Sequence, residues 1–224
     1  MVKAAAGSSE ESMAAMTRLF QSYWQPLYLF LRREGRSREE AEDLLQEFFM
    51  RMQSGSLLTS ADPARGKFRS ILLMSLRNLE TDFFRAATRQ KRGGGAEMVP
   101  LDVAMAESHL NEMADAGLSP EMAYDRAWAL TLLKRAGQRL GEACAAEGKA
   151  ALCAELFPHL TGSGHSSDFP AAAERLGMNE KAARVALSRM RRRYAAAIRA
   201  EVAETVGSDL DEKDELRYLL ENFS

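Results

Sequence analysis

Large apolar residues recur every three or four positions along most of the chain, which is the period of an amphipathic helix. The first such segment covers residues 12–34 and contains Met13, Met16, Phe20, Tyr23, Leu27 and Phe30. Pro26 lies inside this segment. Because proline lacks an N–H, we expect it to break or kink the helix and restart a helix at its own position. Gly35 is expected to end the segment.

Two further helices are predicted in the N-terminal part. Ser37 and Glu40 form a capping box, which marks a helix start. The helix that follows presents Ala41, Leu44, Leu45, Phe48 and Met52 on one side. Residues 54–66 are rich in Ser, Gly and Pro and predict a loop. A long helix then carries Phe68, Ile71, Leu72, Leu76, Leu79 and Phe83, and is expected to end near Gln90. Residues 1–92 are therefore predicted to be one domain.

A second domain is predicted after a linker. Three consecutive glycines start at Gly93, and residues 93–118 are acidic, which predicts a flexible connector. Pro120 suits the first position of a helix. Helices are expected from Met122 to about Ala145 and from Lys149 to Leu160. The second domain covers 119–203. An acidic tail, 204–224, is predicted to contain a further helix with Leu216, Leu219, Leu220 and Phe223 on one side.

Composition favours an all-α fold. Hydrophobic residues make up 46% of the 224 positions, enough for a core, and β-branched residues are few. We predict two small helical domains joined by a flexible acidic linker, the second containing a helix-turn-helix.

The helix-turn-helix is predicted from residues 169–198. Ala173 is small where two helices cross, Gly177 can take the positive φ of a tight turn, and Asn179 suits an N-cap. The second helix has an apolar stripe and six arginines but no acid between Arg184 and Arg199. This pattern favours a helix that meets phosphates and base edges in a major groove. A solvated basic helix is the alternative. The basic face comprises Lys181, Arg184, Ser188, Arg191 and Arg192.

Charge is segregated along the chain although the net charge is only −2. Residues 65–92 hold eight basic residues against two acids, and residues 201–221 hold eight acids against two basic residues. Basic domains with acidic connectors favour a nucleic-acid binder.

No catalytic constellation, cofactor motif or metal-ligand spacing is present, so we expect a protein that is not an enzyme and needs neither cofactor nor metal. Cys144 and Cys153 are expected to be reduced core thiols. No segment is long and apolar enough for a signal peptide or a membrane span, which predicts a cytoplasmic protein without membrane insertion.

Three segments together resemble the sigma-70 family. The segment Ala41–Met52 resembles the helix by which bacterial sigma factors bind the clamp of RNA polymerase. The pattern from Phe68 through Asn78 and Asp82 to Arg85 resembles the helix that reads and melts the −10 promoter element. The segment 169–195 corresponds to the domain that reads the −35 element. The order and length resemble the extracytoplasmic-function (ECF) sigma factors, but the long acidic linker and the acidic tail depart from their minimal pattern.

The resemblance implies a promoter-specificity subunit and its site residues. The expected partners are core RNA polymerase and promoter DNA, with an anti-sigma factor or another regulator as a further candidate. The loop 54–66 is expected to receive a flipped base, and basic residues near aromatic rings suit an unpaired strand. The implied residues for polymerase binding are Asp43, Gln46, Glu47, Phe49 and Arg51; those for the −10 element are Asn78, Asp82, Phe84, Arg85, Arg89, Lys91 and Arg92; those for the −35 element are the five residues of the basic face.

Two other functions remain open at this stage. A stand-alone helix-turn-helix regulator would explain residues 169–199 but leaves the helix at 37–52 without a role. A helical protein–protein adaptor would make DNA binding incidental. Binding to core polymerase distinguishes the first alternative, and salt-dependent DNA binding distinguishes the second.

Overall fold

The computed structural model describes residues 10–54, 68–87, 106, 117–205 and 209–223, and these residues form helices without any strand. The predicted all-α fold is therefore confirmed. The loop 54–66 lies outside the described residues except for Ser54, and the linker 93–118 lies outside them except for Ala106, Gly117 and Leu118. A short 3₁₀ turn covers Ser166–Asp168. The helices are α1 (Glu10–Arg33), α2 (Arg38–Gln53), α3 (Phe68–Ala87), α4 (Pro120–Ala146), α5 (Ala150–Thr161), α6 (Phe169–Arg175), α7 (Glu180–Thr205) and α8 (Asp209–Phe223).

The chain divides into two compact units, whose limits differ from the predicted domains. The first unit contains Met1–Thr131 and Glu204–Ser224, and the second contains Leu132–Ala203. The start of α4 therefore belongs with the N-terminal helices, because Ala123 and Ala127 pack with Leu29 of α1. The tail helix α8 also belongs to the first unit.

Helix α1 continues through Pro26, and the expected break there was wrong. Pro26 is buried inside the helix. The neighbouring Tyr23 and Leu27 are also buried. We attribute the unbroken helix to this packing. Burial of the apolar side chains stabilises the helical conformation and offsets the free-energy cost of the backbone hydrogen bond that proline removes. The predicted end is correct, since Gly35 has a φ of 89° and its N–H donates to the Arg32 carbonyl at 3.1 Å.

Helices α2 and α3 form as their patterns predict. The Glu40 N–H donates to Ser37 Oγ at 3.1 Å, and the Ser37 N–H donates to the Glu40 carboxylate at 2.8 Å, which completes the capping box. All five apolar positions predicted for α2 are buried. In α3, Phe68, Leu72, Leu76 and Leu79 are buried, while Ile71 and Phe83 are half-buried.

The second unit has its own core. Apolar side chains of α4, α5, α6 and α7 meet there; the buried members are Leu140, Cys144, Cys153, Leu156, Phe169, Ala173, Ala183, Leu187 and Met190. Both cysteines are free thiols, and burial raises the pKa of Cys153 to about 11. The thiol therefore stays protonated at neutral pH.

Candidate functional site

The outer face of α2 is polar and accessible. Asp43 and Arg51 are exposed, and Gln46 and Glu47 are half-buried. Glu47 accepts a hydrogen bond from Arg51 Nε at 2.7 Å, one helical turn away. Because the opposite side of α2 is filled by its apolar stripe, these four predicted residues share the side that is open to a partner.

Phe49 does not belong to this open face. Its side chain is only 9% exposed and its ring lies 4.3 Å from the ring of Phe20, between centroids. The exposed apolar side chain is instead that of Met50, at 37%. Met50 follows Asp43 by seven positions, so helical periodicity places it on the same face. The family resemblance implied Phe49 and not Met50, although the seven-residue spacing from Asp43 is visible in the sequence.

The outer face of α3 carries two of the predicted promoter-reading residues. Asn78 and Asp82 are both exposed, one turn apart. Met74, one turn before Asn78, is 53% exposed and was missed for the same reason as Met50. The remaining predicted residues cannot be placed: the side chains of Phe84 and Arg85, and all of Arg89, Lys91 and Arg92, lie outside the described residues.

Two arginines of α3, Arg69 and Arg77, contact acids within the first unit. Arg77 pairs with Glu121 at the start of α4 and lies 3.5 Å from Glu34. The hydrogen bond with Glu121 raises the pKa of Arg77. Arg69 is buried, with side-chain nitrogens 3.4 Å from Asp125 and 3.1 Å from Glu215. The basic tract seen in the sequence therefore includes two arginines that acids of the same unit already hold.

Helices α6 and α7 are joined by a tight turn over residues 176–179. Gly177 has a φ of 64°, a conformation that glycine adopts without a Cβ clash. The Met178 N–H donates to the Ala173 carbonyl at 2.9 Å, which closes the end of α6. Asn179 caps α7, because its Oδ1 accepts from the Ala182 N–H at 2.8 Å. These local bonds fix the start of the basic helix.

All five residues of the predicted basic face are exposed on α7. Lys181, Arg184 and Ser188 line a shallow concavity together with Val185 and Glu180. Arg184 Nε donates to Glu180 at 3.0 Å, and its guanidinium lies 5.2 Å from the Phe169 ring centroid. Val185 is 48% exposed, an apolar side chain that sequence reasoning left out.

Arg193 faces a different neighbour. Its guanidinium donates to the Glu147 carboxylate at 2.6 and 3.1 Å, which ties α7 to the end of α4 within the second unit. Hydrogen bonds from Lys149 and Arg193 lower the pKa of Glu147. Arg193 is thus a structural arginine in the same helix as the exposed ones.

Residues 19–90 match the family model for sigma-70 region 2. The match covers about a third of the chain and shows that these residues are similar to region 2 of the sigma-70 family. No curated protein and no solved structure matches the chain.

The region 2 match covers both outer faces described above for α2 and α3. It includes every residue implied for polymerase binding and those for the −10 element except Lys91 and Arg92. The basic face of α7 lies beyond the match.

Within the described ranges, no helix is long and apolar enough to cross a bilayer. Over the same ranges, His, Cys, Asp and Glu side chains form no cluster of three or more suited to a metal ion.

Proposed function

We propose that this protein is a sigma factor of the ECF type that binds core RNA polymerase through α2, reads and melts the −10 element through α3, and reads the −35 element through α6 and α7. The region 2 match over residues 19–90 carries this proposal. Transcription would place the protein in the cytoplasm. An anti-sigma factor or another regulator remains a candidate partner.

The face of α2 suits a protein partner. It combines an exposed carboxylate, Asp43, with the ion pair of Glu47 and Arg51 and with the apolar side chain of Met50. Charged side chains select and orient a partner, and an apolar side chain among them contributes buried area. Asp43, Gln46, Glu47, Met50 and Arg51 are therefore the proposed polymerase contacts, and Phe49 supports them from the core.

The face of α3 suits an unpaired strand. Asn78 can donate to and accept from base edges, and Asp82 accepts from exocyclic amines. Met74 adds a flexible apolar surface next to them. The proposal retains Phe84, Arg85, Arg89, Lys91 and Arg92 as −10 contacts from the family resemblance.

Helix α7 suits a duplex major groove. Five exposed polar or basic residues start one residue after its N-terminus, where a groove-reading helix contacts bases. Arg184 is held between Glu180 and the Phe169 ring, which limits its rotamers before DNA arrives. Val185 lies beside it and can contact a thymine methyl group. The capped start of α7 keeps these side chains in register.

Charge reversal on α2 tests polymerase binding. Asp43→Lys is expected to weaken affinity for core polymerase by about tenfold, which corresponds to about 1.4 kcal/mol. Because Asp43 is exposed, the fold should be unaffected. Glu142→Lys is the matched control: it makes a similar charge change at an exposed position of α4 to which no contact is assigned. Titration of labelled core polymerase measures both variants. Equal affinity of Asp43→Lys and the wild type would remove α2 from the interface.

Two single substitutions on α7, one at Arg184 and one at Arg193, test promoter reading. Arg184→Ala should cost about 1–3 kcal/mol of affinity for the preferred −35 duplex if Arg184 pairs with a guanine, and should relax preference at one base pair. Arg193→Ala is the control, because it also removes an arginine side chain of α7, but one that is paired with Glu147. It should leave sequence preference unchanged. Binding to a library of −35 duplexes measures both, and unchanged preference in Arg184→Ala would refute the assignment.

A further inference from the structure

One carboxylate lies among the basic side chains at the start of α7. Glu180 is the first residue of this helix, and residues 181–200 contain seven basic residues and no acid. The Glu180 side chain is 48% exposed and lines the shallow concavity that also contains Arg184 and Ser188. A groove-reading helix contacts base edges with its N-terminal residues, so Glu180 lies among the side chains that face DNA in the proposed function.

The ion pair between Glu180 and Arg184 leaves hydrogen-bonding atoms of both groups open. Arg184 Nε donates to Glu180 Oε1 at 3.0 Å, and Arg184 Nη2 donates to the same oxygen. Oε1 therefore occupies the edge of the guanidinium that contains Nε. The edge formed by Nη1 and Nη2 carries two N–H groups that match O6 and N7 of a guanine. Within the part of the chain that the structure describes, Glu180 Oε2 accepts no hydrogen bond.

The distances within this pair suit two neighbouring base pairs. Phe169, which is 6% exposed and belongs to the core of the second unit, has its ring centroid 5.2 Å from the Arg184 guanidinium carbon. The guanidinium is thus placed by a buried ring as well as by Glu180. The bonded atoms of the pair are 3.0 Å apart, and successive base pairs are about 3.4 Å apart along the helix axis. When Arg184 binds a guanine, the Glu180 carboxylate therefore lies within reach of the next base pair.

The chemistry of the open carboxylate oxygen selects cytosine. An ionised carboxylate only accepts hydrogen bonds, and guanine and thymine present no donor in the major groove. Adenine presents its amino group beside the N7 acceptor, whose lone pair repels a carboxylate, whereas the N4 amino group of cytosine is a donor that Glu binds. Glu180 also stabilises the start of α7 through the helix dipole. That contribution does not depend on the DNA sequence, so base preference distinguishes the two roles.

We propose that Glu180 is a specificity-determining residue, which reads a cytosine at the base pair next to the guanine that Arg184 reads. Arg184 binds O6 and N7 of the guanine, and Glu180 Oε2 accepts from N4 of the cytosine while Oε1 keeps its bonds to Arg184. This proposal rests on the proposed role of α7 in reading the −35 element. It adds an acid to the five polar or basic residues of that face and predicts two adjacent G·C pairs in the preferred duplex.

Selection of duplexes from a randomised pool by the full chain, without polymerase, tests this assignment. Glu180→Gln retains a carbonyl oxygen that accepts from Arg184, but its amide pairs with adenine. The preference for cytosine over adenine at one base pair should therefore fall by about tenfold, while the preference for guanine at the neighbouring pair should change by less than about threefold. Glu155→Gln is the matched control, because it removes a carboxylate from an exposed ion pair with Arg175 in the same unit. It should leave base preference unchanged.

A change in the DNA gives a second test. Replacing the selected cytosine by 2-pyrimidinone removes the N4 amino group, which should weaken binding of the wild-type protein by about fivefold. The same replacement should weaken binding of Glu180→Ala by less than about twofold, because alanine has no acceptor.

Equal losses in the wild type and Glu180→Ala would overturn the proposal, as would a Glu180→Gln variant with unchanged base preference. A wild-type protein that selects no duplex sequence would instead refute −35 reading by α7 as a whole, and this proposal with it. Sequence selection by the wild type therefore distinguishes a failure of the proposed function from a failure of the Glu180 assignment alone.

Discussion

Gly177 should be the position at which the turn before α7 is least tolerant of a side chain. Its φ of 64° lies in the left-handed region, and a Cβ there would meet no atom within 4 Å. The cost of Gly177→Ala is therefore conformational and not steric. A residue with a Cβ pays about 1–2 kcal/mol in this region. Alanine recovers about 0.4–1 kcal/mol by restricting the unfolded chain. We expect a net destabilisation of about 1 kcal/mol.

Gly141 provides a control with the opposite expected sign. It lies in the interior of α4 within the same unit, has no positive φ, and a Cβ there would also meet nothing within 4 Å. The same Gly→Ala change should stabilise the helix by about 0.5–1 kcal/mol. Gly177→Asn should fall between Gly177→Ala and the wild type, because asparagine tolerates the left-handed region better than alanine.

Urea denaturation followed by far-UV circular dichroism measures these free energies of unfolding. We predict a lower urea midpoint for Gly177→Ala and a higher one for Gly141→Ala. Binding of the −35 duplex should weaken in Gly177→Ala, because the turn sets the start of α7. A stability for Gly177→Ala equal to or above the wild type would refute the conformational reasoning.

Two further predictions concern buried groups in each unit. The Glu201 side chain is 3% exposed, and its carboxylate lies 2.8 Å from Arg135 and 3.0 Å from Arg139. Glu201→Gln should therefore destabilise the second unit by about 2 kcal/mol, a figure reduced because Arg139 is partly exposed to solvent. A loss in the free energy of unfolding below about 0.5 kcal/mol, measured in urea, would contradict this prediction. Burial raises the pKa of Tyr124 well above 10 and that of Tyr218 to about 12, whereas an unfolded tyrosine ionises near 10. The stability that these buried phenols contribute is therefore complete below about pH 10 and falls as the pH rises towards 12. Melting temperatures measured from about pH 9 to 12, with tyrosinate followed by absorbance, test this dependence. A melting temperature that stays constant over this range would contradict the prediction.

Local patterns predicted much of the fold. The apolar stripe of α2, its capping box and the turn at Gly177 depend on neighbouring residues, and the structure shows each of them. The unbroken path through Pro26 was missed because it depends on packing from outside the helix. The boundary within α4 was missed for the same reason: Ala123 and Ala127 carry no signal in the sequence that they pack with Leu29.

The sequence predicted which faces of α2, α3 and α7 are exposed, but it predicted less well which individual side chains lie on them. Exposure of Asp43, Asn78 and the basic face of α7 followed from helical period. The family resemblance implied Phe49 as a contact, but its angular position adjoins the apolar stripe of α2 and its ring packs against Phe20. The contact between Arg69 and Glu215 joins positions far apart in the chain, and no local pattern indicates such a pair.

Promoter-directed transcription with purified core RNA polymerase tests the central claim most directly. Promoters selected from genomic DNA by this protein and polymerase together should give run-off transcripts with defined start sites. We predict that initiation requires the protein, and that Asp43→Lys reduces transcription and recovers at raised protein concentration. Random-start transcription that is the same with and without the protein would contradict the account, even if the protein binds DNA alone.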